Sequence, residues 1–272
     1  MYRILFRLGP VTLYSYGALV ALAFLTATYL SWKKAAARGI NPDKIIDACL
    51  CILVSGLAGA RLFYVLIYHD YYFSYPLDIL KIWQGGLIFY GGFIFASLSA
   101  IFFLLKQKIP VWKFADLIAP NISLGLAIGR VGCFLNGCCF GRITPGFGIL
   151  FPCRDSSPVC LQQISSGLIE PGRRFSLPVI PTQLYSSAAA LFIFLILVSL
   201  RDSKSFSRYQ AKRTGWFFWL FVFLYGFSRF FIEKFRFYEA NFYFFSLTLS
   251  QLISLGLILL SGVMLVILDR LR

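Results

Sequence analysis

The chain alternates between long apolar runs and short polar connections. Seven of the runs come close to the roughly 20 residues with which an α-helix crosses a bilayer. They cover residues 11–31, 45–68, 87–105, 114–131, 182–200, 215–235 and 244–268. This pattern predicts an all-α polytopic membrane protein with about seven transmembrane helices. Because 272 residues leave little room for more, we expect a single integral membrane domain over 1–272.

One connection, 132–181, is much longer than the others and is rich in Gly, Pro, Ser and Arg. That composition is typical of a loop or a small extracytoplasmic head, here between the fourth and fifth helices. Two roles fit it. The segment either caps a site from outside the membrane and holds a peptide, or lies as a solvated loop against anionic headgroups.

Lysine and arginine predict the orientation of the chain. Fourteen of them flank one set of helix ends: Lys33, Lys34, Arg38, Lys44, Lys106, Lys108, Lys113, Arg201, Lys204, Arg208, Lys212, Arg213, Arg270 and Arg272. Nine flank the opposite ends: Arg3, Arg7, Lys81, Arg142, Arg154, Arg173, Arg174, Lys234 and Arg236. Since cytoplasmic connections carry the excess, the N-terminus is predicted outside and the C-terminus in the cytoplasm. The first run is too long for a cleaved signal peptide, which favours a retained anchor.

Composition supports a membrane location and argues against nucleic-acid binding. Hydrophobic residues make up 59% of the chain and charged residues only 14%, which is too apolar for a soluble domain. The net charge of +15 would suit nucleic acid, but the basic residues lie in short connections and form no separate DNA-binding motif or basic arm. We expect membrane lipids as partners and no nucleic acid.

The seven cysteines fall into two groups. Cys49 and Cys51 lie inside an apolar run, where a small thiol fills space in a core. Five others follow the fourth run: Cys133, Cys138, Cys139, Cys153 and Cys160. In an oxidising compartment a disulfide such as Cys153 to Cys160 is one of the pairings open to them.

A metal site is the competing interpretation of these cysteines. Cys138 and Cys139 are adjacent rather than spaced as paired zinc ligands, and the only histidine, His69, is far away in the sequence. We therefore expect no metal and no cofactor.

Polar residues inside the apolar runs converge on one depth. With the predicted orientation they fall toward the outer leaflet, although they come from different helices: Tyr16, Arg61, Tyr90, Arg130, Thr182, Gln183, Tyr185, Arg229 and Glu233. A single amphipathic face does not produce that convergence, so these residues indicate a site. For Tyr14, Tyr64 and Tyr68 we expect interfacial anchoring instead, and for Gly56 and Gly59 close helix packing.

The deep arginines suggest the chemistry of the ligand. An arginine in hydrocarbon costs about 2.5 to 3.5 kcal/mol on insertion scales, so each one needs an anionic partner. The apolar runs contain three such arginines, Arg61, Arg130 and Arg229, but only one deep carboxylate, Glu233. The excess positive charge would suit the phosphate of a lipid headgroup. Two structural alternatives stay open. Arg61 reaches the headgroups as an interfacial arginine, and Arg229 with Glu233 forms an i,i+4 ion pair.

Six motifs follow one another along the chain. They are Tyr16-Gly17, Gly59-Ala60-Arg61-Leu62, Gly85-Gly86-Leu87 through Tyr90-Gly91-Gly92, the stretch from Gly129 to Gly141, Pro181-Thr182-Gln183-Leu184-Tyr185, and Tyr225 through Arg229 and Glu233 to Arg236. In this order the motifs resemble those of one family, the prolipoprotein diacylglyceryl transferases of the bacterial inner membrane. They cover nearly the whole chain, and their order makes the resemblance specific.

The resemblance implies a reaction and a set of site residues. The diacylglyceryl group of phosphatidylglycerol is transferred to the lipobox cysteine in the signal peptide of a lipoprotein precursor, which forms a thioether and releases glycerol phosphate. Catalytic roles are predicted for Arg130, Arg229, Glu233 and Tyr90. Contacts with phosphatidylglycerol are predicted for Arg130, Arg229, Asn136, Gly141, Tyr16, Tyr225, Arg61, Gln183 and Tyr185.

Three residues depart from the family pattern. Tyr90 stands where the family often has histidine, Cys133 where it often has asparagine, and Cys138 where it often has glutamate. An ordinary phenol has a pKa of about 10 and is a poor base at neutral pH. Glu233 is therefore the predicted proton acceptor, or the partner that orients Arg229. Two other functions stay open: a divergent transferase that uses another lipid or acceptor, and a non-catalytic lipid-binding or transport protein.

Overall fold

We describe the protein from a computed structural model over residues 3–8, 11–82, 85–146, 148–203, 213–237, 243–244 and 247–270. Within these ranges seven helices are long and apolar enough to cross a membrane, which confirms the predicted fold class. They are α1 (Ser15–Ala35), α2 (Pro42–Ile67), α4 (Phe89–Lys106), α5 (Val111–Asn136), α7 (Thr182–Asp202), α8 (Trp216–Glu233) and α9 (Leu249–Arg270). Of the residues used to predict orientation, Lys204, Arg208, Lys212 and Arg272 lie outside the described ranges.

Shorter elements complete the described chain. Two short helices are α3 (His69–Ser74) and α6 (Pro158–Ser165), and 3₁₀ turns cover Ala36–Arg38 and Pro76–Leu80. Strand β1 (Ile4–Leu8) pairs antiparallel with β2 (Val11–Tyr14), and β3 (Tyr243–Phe244) pairs antiparallel with β4 (Leu247–Thr248).

The predicted starts of the first and last spans were too early. Residues 11–14 form strand β2, so α1 begins only at Ser15. The last helix begins at Leu249 because Thr248 and Gln251 form a capping box. The Thr248 hydroxyl accepts from the Gln251 backbone N–H at 3.2 Å, and the side-chain oxygen Oε1 of Gln251 accepts from the Thr248 backbone N–H at 3.0 Å. These reciprocal bonds satisfy two helix N–H groups that have no partner inside the helix.

The chain divides into two compact units, 1–27 with 118–272, and 28–117. In the second unit, α2 and α4 pack through small residues. A Cβ added to Gly59 would lie 2.4 Å from Phe95 Cβ, and one added to Gly91 would lie 2.6 Å from the Gly59 carbonyl oxygen. Gly92 approaches the Gly56 carbonyl oxygen in the same way. The backbones are therefore in direct contact, which confirms the predicted packing role of Gly56 and Gly59.

Adding one methyl group at this contact is expected to destabilise the protein. Gly59→Ala should lower the free energy of unfolding by about 1 to 3 kcal/mol, because the helices must separate or Phe95 must leave its rotamer. Thermal unfolding in detergent measures the change. The matched control is Gly256→Ala in α9, where no atom lies within 4 Å of the added Cβ. Equal melting temperatures for the two variants would show that the α2–α4 contact tolerates a side chain.

In the first unit the core lies between α5, α7 and α8. Its buried side chains are Ala119, Ile193, Leu197, Phe217 and Phe221. Two serines reinforce the α5–α7 contact: the Ser187 hydroxyl donates to the Ala127 carbonyl oxygen at 2.8 Å and the Ser123 hydroxyl to the Ala190 carbonyl oxygen at 2.7 Å. Inside hydrocarbon such bonds stabilise a helix pair by about 0.6 kcal/mol on average.

The long connection between α5 and α7 is folded around a small core of its own. Six side chains are buried in it: Phe140, Phe151, Val159, Cys160, Ile169 and Val179. Cys153 and Cys160 form a disulfide with an S–S distance of 2.08 Å, which confirms that pairing. The connection is also shorter than predicted, because α5 continues to Asn136 instead of ending near 131.

Candidate active site

The site is organised by the way in which α5 ends. The Gly137 N–H donates to the Phe134 carbonyl oxygen and the Cys138 N–H to the Cys133 carbonyl oxygen, both at 3.1 Å. Gly137 has a φ of 74°. These two bonds and the left-handed glycine form a Schellman motif, which terminates the helix and folds the chain back over its last turn. The motif explains why a glycine stands at position 137.

Helix α7 holds this turn from the other side. The Thr182 hydroxyl donates to the Cys139 carbonyl oxygen at 2.8 Å, and Gln183 Nε2 donates to the Cys138 carbonyl oxygen at 2.7 Å. Both side chains are buried. The predicted lipid contact of Gln183 is therefore accompanied by a structural role, since its amide fixes the turn that follows α5.

The turn gathers three cysteine side chains. The sulfurs of Cys133, Cys138 and Cys139 lie within 4.8 Å of one another, and all three are free thiols. Hydrogen bonds from Cys133 and Cys138, together with the charges of Arg236 and Arg130, lower the pKa of the Cys139 thiol. Among the described residues, these sulfurs are the donor set that would suit a metal ion.

Arg130 and Arg229 line one cleft, as predicted from their common depth. Tyr225 and Ser228 of α8 and Ser186 of α7 complete its polar wall. Arg130 lies within hydrogen-bonding reach of the Tyr225 hydroxyl. In this structure the cleft has a volume of only about 10 Å³, so a ligand larger than a water molecule would require its side chains to move apart.

Glu233 neutralises part of this positive charge from a buried position. The residue is only 1% exposed. Carboxylate Oε2 lies 2.7 Å from Arg229 Nη2 and 3.8 Å from Arg236 Nη1. The i,i+4 ion pair of Arg229 and Glu233, which was one of the alternatives drawn from the sequence, is therefore formed. Arg236 is a second partner that was not predicted for the site.

Gly141 connects the α5 turn to the end of α8. It forms an antiparallel bridge with Arg236, and its N–H donates to the Ile180 carbonyl oxygen at 2.8 Å. A Cβ at Gly141 would lie 2.5 Å from the Phe235 carbonyl oxygen and 2.8 Å from the Ile180 carbonyl oxygen. Only glycine fits between these backbones, so the packing alone accounts for the residue.

Asn136 lines a separate cavity of about 320 Å³. Arg3, which sequence reasoning missed, donates from Nε to Asn136 Oδ1 at 3.1 Å. Arg3 also donates to the carbonyl oxygens of Asp155 and Ser156 and lies over the ring of Tyr14. Because Arg3 precedes the first apolar run, the sequence offered no signal beyond its position among the predicted outer residues.

Two of the predicted tyrosines of this unit, Tyr16 and Tyr185, lie at accessible positions. Tyr16 is 42% exposed and packs on Gly132 of α5. Tyr185 is 45% exposed and places its ring edge-on to Phe235. Both leave ring surface free for lipid, as an aromatic residue near a membrane interface does.

Arg61 and Tyr90 belong to the unit of residues 28–117. Arg61 is 6% exposed and donates to four backbone carbonyl oxygens, those of Asp78, Ile79, Gly85 and Gly86, at 2.6 to 3.1 Å. Its guanidinium also lies over Tyr64 and Tyr72. These partners give Arg61 a structural role and use four of its five N–H donors. Tyr90 lies in the first turn of α4 and is 55% exposed.

The family of the chain follows from comparison with known sequences. A sequence model of prolipoprotein diacylglyceryl transferase matches residues 3–267. The chain belongs to the prolipoprotein diacylglyceryl transferase family. The match confirms the resemblance drawn from the six motifs, and it spans both compact units of this transferase.

Relatives of the transferase come from several bacterial groups and carry the same name, phosphatidylglycerol–prolipoprotein diacylglyceryl transferase. The chain is 30% identical to that of Geobacter sulfurreducens over 275 residues, which covers 98% of this chain and 95% of the relative. It is 34% identical to that of Wolbachia pipientis, covering 94% and 91% of the two chains. It is 33% identical to that of Trichormus variabilis, covering 86% and 78%.

Proposed function

We propose that this protein transfers the diacylglyceryl group of phosphatidylglycerol to the thiol of a lipobox cysteine, the first step of lipoprotein maturation. The relatives' names support the reaction. The observation in the structure that carries it is the cleft in which Arg130, Tyr225 and Arg229 meet. Two guanidinium groups and a phenol at one point form a site for a phosphate group.

The proposed chemistry is a displacement at a glycerol carbon. A C–S bond forms between that carbon and the cysteine sulfur, while the C–O bond to the phosphate breaks. The electron pair of the C–O bond leaves with glycerol phosphate. The proton of the cysteine thiol passes to the phosphate group of the glycerol phosphate or to water. Because negative charge grows on the leaving phosphate, Arg130 and Arg229 stabilise the transition state more than the ground state.

Glu233 and Tyr90 are assigned to the remaining roles. The ion pair of Glu233 with Arg229, at 2.7 Å, supports a positioning role for the carboxylate: it fixes the rotamer of an arginine that contacts phosphate. The thiol must lose its proton because the thiolate is the nucleophile. Tyr90, half exposed in the first turn of α4, is the proposed proton relay or headgroup contact.

The other predicted residues are proposed to shape the headgroup site. Asn136 faces a cavity that Arg3 and Arg154 also line, which suits the hydroxyls and the charge of a phosphatidylglycerol headgroup. Gln183 and Gly141 act on the lipid through the backbone that they position. Tyr16 and Tyr185 are assigned to lipid contact through their exposed rings, whereas a phosphate contact of Arg61 stays a prediction.

The location proposed for the protein is the bacterial cytoplasmic membrane, with the N-terminus outside and the C-terminus in the cytoplasm. Seven apolar helices support the multi-pass membrane location. The Cys153–Cys160 disulfide supports an outer location for the connection between α5 and α7, because disulfides persist in oxidising compartments. Phosphatidylglycerol and the signal peptides of lipoprotein precursors are the proposed substrates and reach the site from the membrane.

The test is a transfer reaction with defined substrates. Purified full-length protein in mixed micelles receives phosphatidylglycerol and a lipobox peptide. We expect a peptide whose mass has increased by one diacylglyceryl group and an equal amount of released glycerol phosphate. A peptide with serine in place of the lipobox cysteine is the matched control and should remain unmodified.

Two outcomes would contradict the proposal. Glycerol phosphate released at the same rate without the peptide would show a phospholipase. Equal transfer when phosphatidylethanolamine replaces phosphatidylglycerol would favour a divergent transferase, which is the alternative suggested by Tyr90, Cys133 and Cys138.

A further inference from the structure

The three thiols at the end of α5 are brought together by the backbone. The Schellman motif places residue 138 over residue 133, and the Cys138 N–H donates to the Cys133 carbonyl oxygen at 3.1 Å. Cys139 then has a φ of 57°, a left-handed conformation that is uncommon for a residue with a side chain. The hydrogen bond from Thr182 to the Cys139 carbonyl oxygen stabilises that conformation. The result is a C-x₄-C-C sequence whose three sulfurs face one another.

The sulfur positions fit a thiolate-coordinated metal ion. With metal–sulfur bonds of about 2.3 Å, sulfurs are separated by about 3.8 Å in a tetrahedral site and about 4.0 Å in a trigonal one. The observed sulfurs lie within 4.8 Å of one another. A contraction of no more than about 1 Å therefore brings them to bonding positions. The adjacency of Cys138 and Cys139 does not prevent this, because Cys133 supplies the third sulfur from the helix.

The surrounding charge suits the complex that would form. Three thiolates carry three negative charges, so a bound Zn²⁺ leaves one negative charge and a bound Cu⁺ leaves two. Arg130 and Arg236 lie close enough for their charges to act on Cys139. The arginines would repel a bare cation but stabilise its anionic tris-thiolate complex.

We propose that Cys133, Cys138 and Cys139 bind one thiophilic d¹⁰ cation, Zn²⁺ or Cu⁺. Soft thiolate ligands select these ions over hard cations. The bound ion joins the last turn of α5 to the turn that follows and so fixes the intervening Asn136 and Gly137. Water fills the fourth position on Zn²⁺, whereas Cu⁺ is satisfied by three sulfurs. The proposal does not depend on the transferase activity.

Thiol protection in the wild-type protein is the first test. Full-length protein in detergent is reduced and stripped of metal, then loaded with Zn²⁺ or with Cu⁺ without oxygen, and its metal content is measured by mass spectrometry. We expect one ion per chain. Alkylation of Cys133, Cys138 and Cys139, followed by peptide mass analysis, should slow by more than about 10-fold on loading. Alkylation of Cys49 and Cys51, in α2, should not change. The ion that protects at the lower free concentration is the preferred occupant.

Matched variants provide the second test. Cys133→Asn introduces a residue that the family often has at this position, so the fold should be kept while metal binding weakens by more than about 10-fold. Cys51→Ser is the control, since serine can keep the contact that Cys51 makes with Ser99 Oγ at 2.9 Å. Metal should raise the melting temperature of the wild type and of Cys51→Ser, but not that of Cys133→Asn.

Three results would overturn the proposal. The first is equal alkylation of the three thiols with and without either ion. The second is a Cys51→Ser variant that loses as much metal as Cys133→Asn. The third is a disulfide among Cys133, Cys138 and Cys139 in protein isolated without reductant, which would make the cluster a redox pair.

Discussion

Replacing Arg130 by alanine should lower the kcat/KM of diacylglyceryl transfer by about 10²- to 10³-fold. Arg130 lines the cleft with Tyr225 and Arg229, where its guanidinium can meet the charge that develops on the leaving phosphate. A site that excludes water makes each such interaction stronger than in solution. If the interaction is made only in the transition state, kcat should fall with little change in KM.

Arg130→Lys distinguishes geometry from charge at the same position. Lysine keeps the positive charge but loses the fork that binds two phosphate oxygens in parallel, so we expect a rate between those of the wild type and Arg130→Ala. Arg7→Ala is the control, because Arg7 pairs with Asp155 at the surface and its side chain is 63% exposed. Its activity should be unchanged. Near-normal turnover of a well-folded Arg130→Ala variant would remove Arg130 from the proposed chemistry.

Replacing Glu233 by alanine should lower the free energy of unfolding by about 3 to 5 kcal/mol. The carboxylate is almost fully buried and lies 2.7 Å from Arg229 and 3.8 Å from Arg236. Its removal leaves two guanidinium groups without their shared counter-charge in a medium of low polarity. Thermal unfolding in detergent measures the loss. The control is Asp47→Ala, which removes the exposed ion pair with Lys44 at 3.6 Å and should change the free energy by less than about 1 kcal/mol.

Glu233→Gln separates the positioning role from proton transfer. Glutamine keeps the size of the side chain and an acceptor oxygen for Arg229. If Glu233 positions Arg229, kcat/KM of the variant falls but still rises with pH as it does in the wild type. Loss of this rise with pH would show that Glu233 accepts the thiol proton. A Glu233→Ala variant as stable as the wild type would contradict the buried ion pair itself.

Much of the architecture could be predicted because the bilayer imposes its own length scale. Seven apolar runs predicted seven helices, and the spacing of small residues predicted the close contact at Gly56 and Gly59. Helix ends were less predictable where local hydrogen bonds override hydropathy. The capping box of Thr248 and Gln251 delays the last helix, and the Schellman motif at Gly137 extends α5 past its last continuous apolar run.

The candidate site was predicted in part. The i,i+4 spacing of Arg229 and Glu233 predicted their ion pair, because helical geometry alone places these side chains on one face. The role of Arg61 was not predictable in the same way. Its guanidinium donates to four carbonyl oxygens of residues that lie 17 to 25 positions later in the chain. No local sequence pattern indicates these partners.

By itself the sequence determined the membrane class, the family and the residue types available to the site, because these depend on hydropathy and on ordered motifs. The tertiary structure alone decided which groups meet. Arg3 reaches Asn136 across 133 positions, and Gln183 reaches the Cys138 carbonyl oxygen across 45. Such contacts depend on how separate helices pack. The three cysteines form a cluster because the chain folds back on itself at the end of α5. The two hydrogen bonds of that turn bring together three sulfurs whose spacing in the sequence had argued against a metal site.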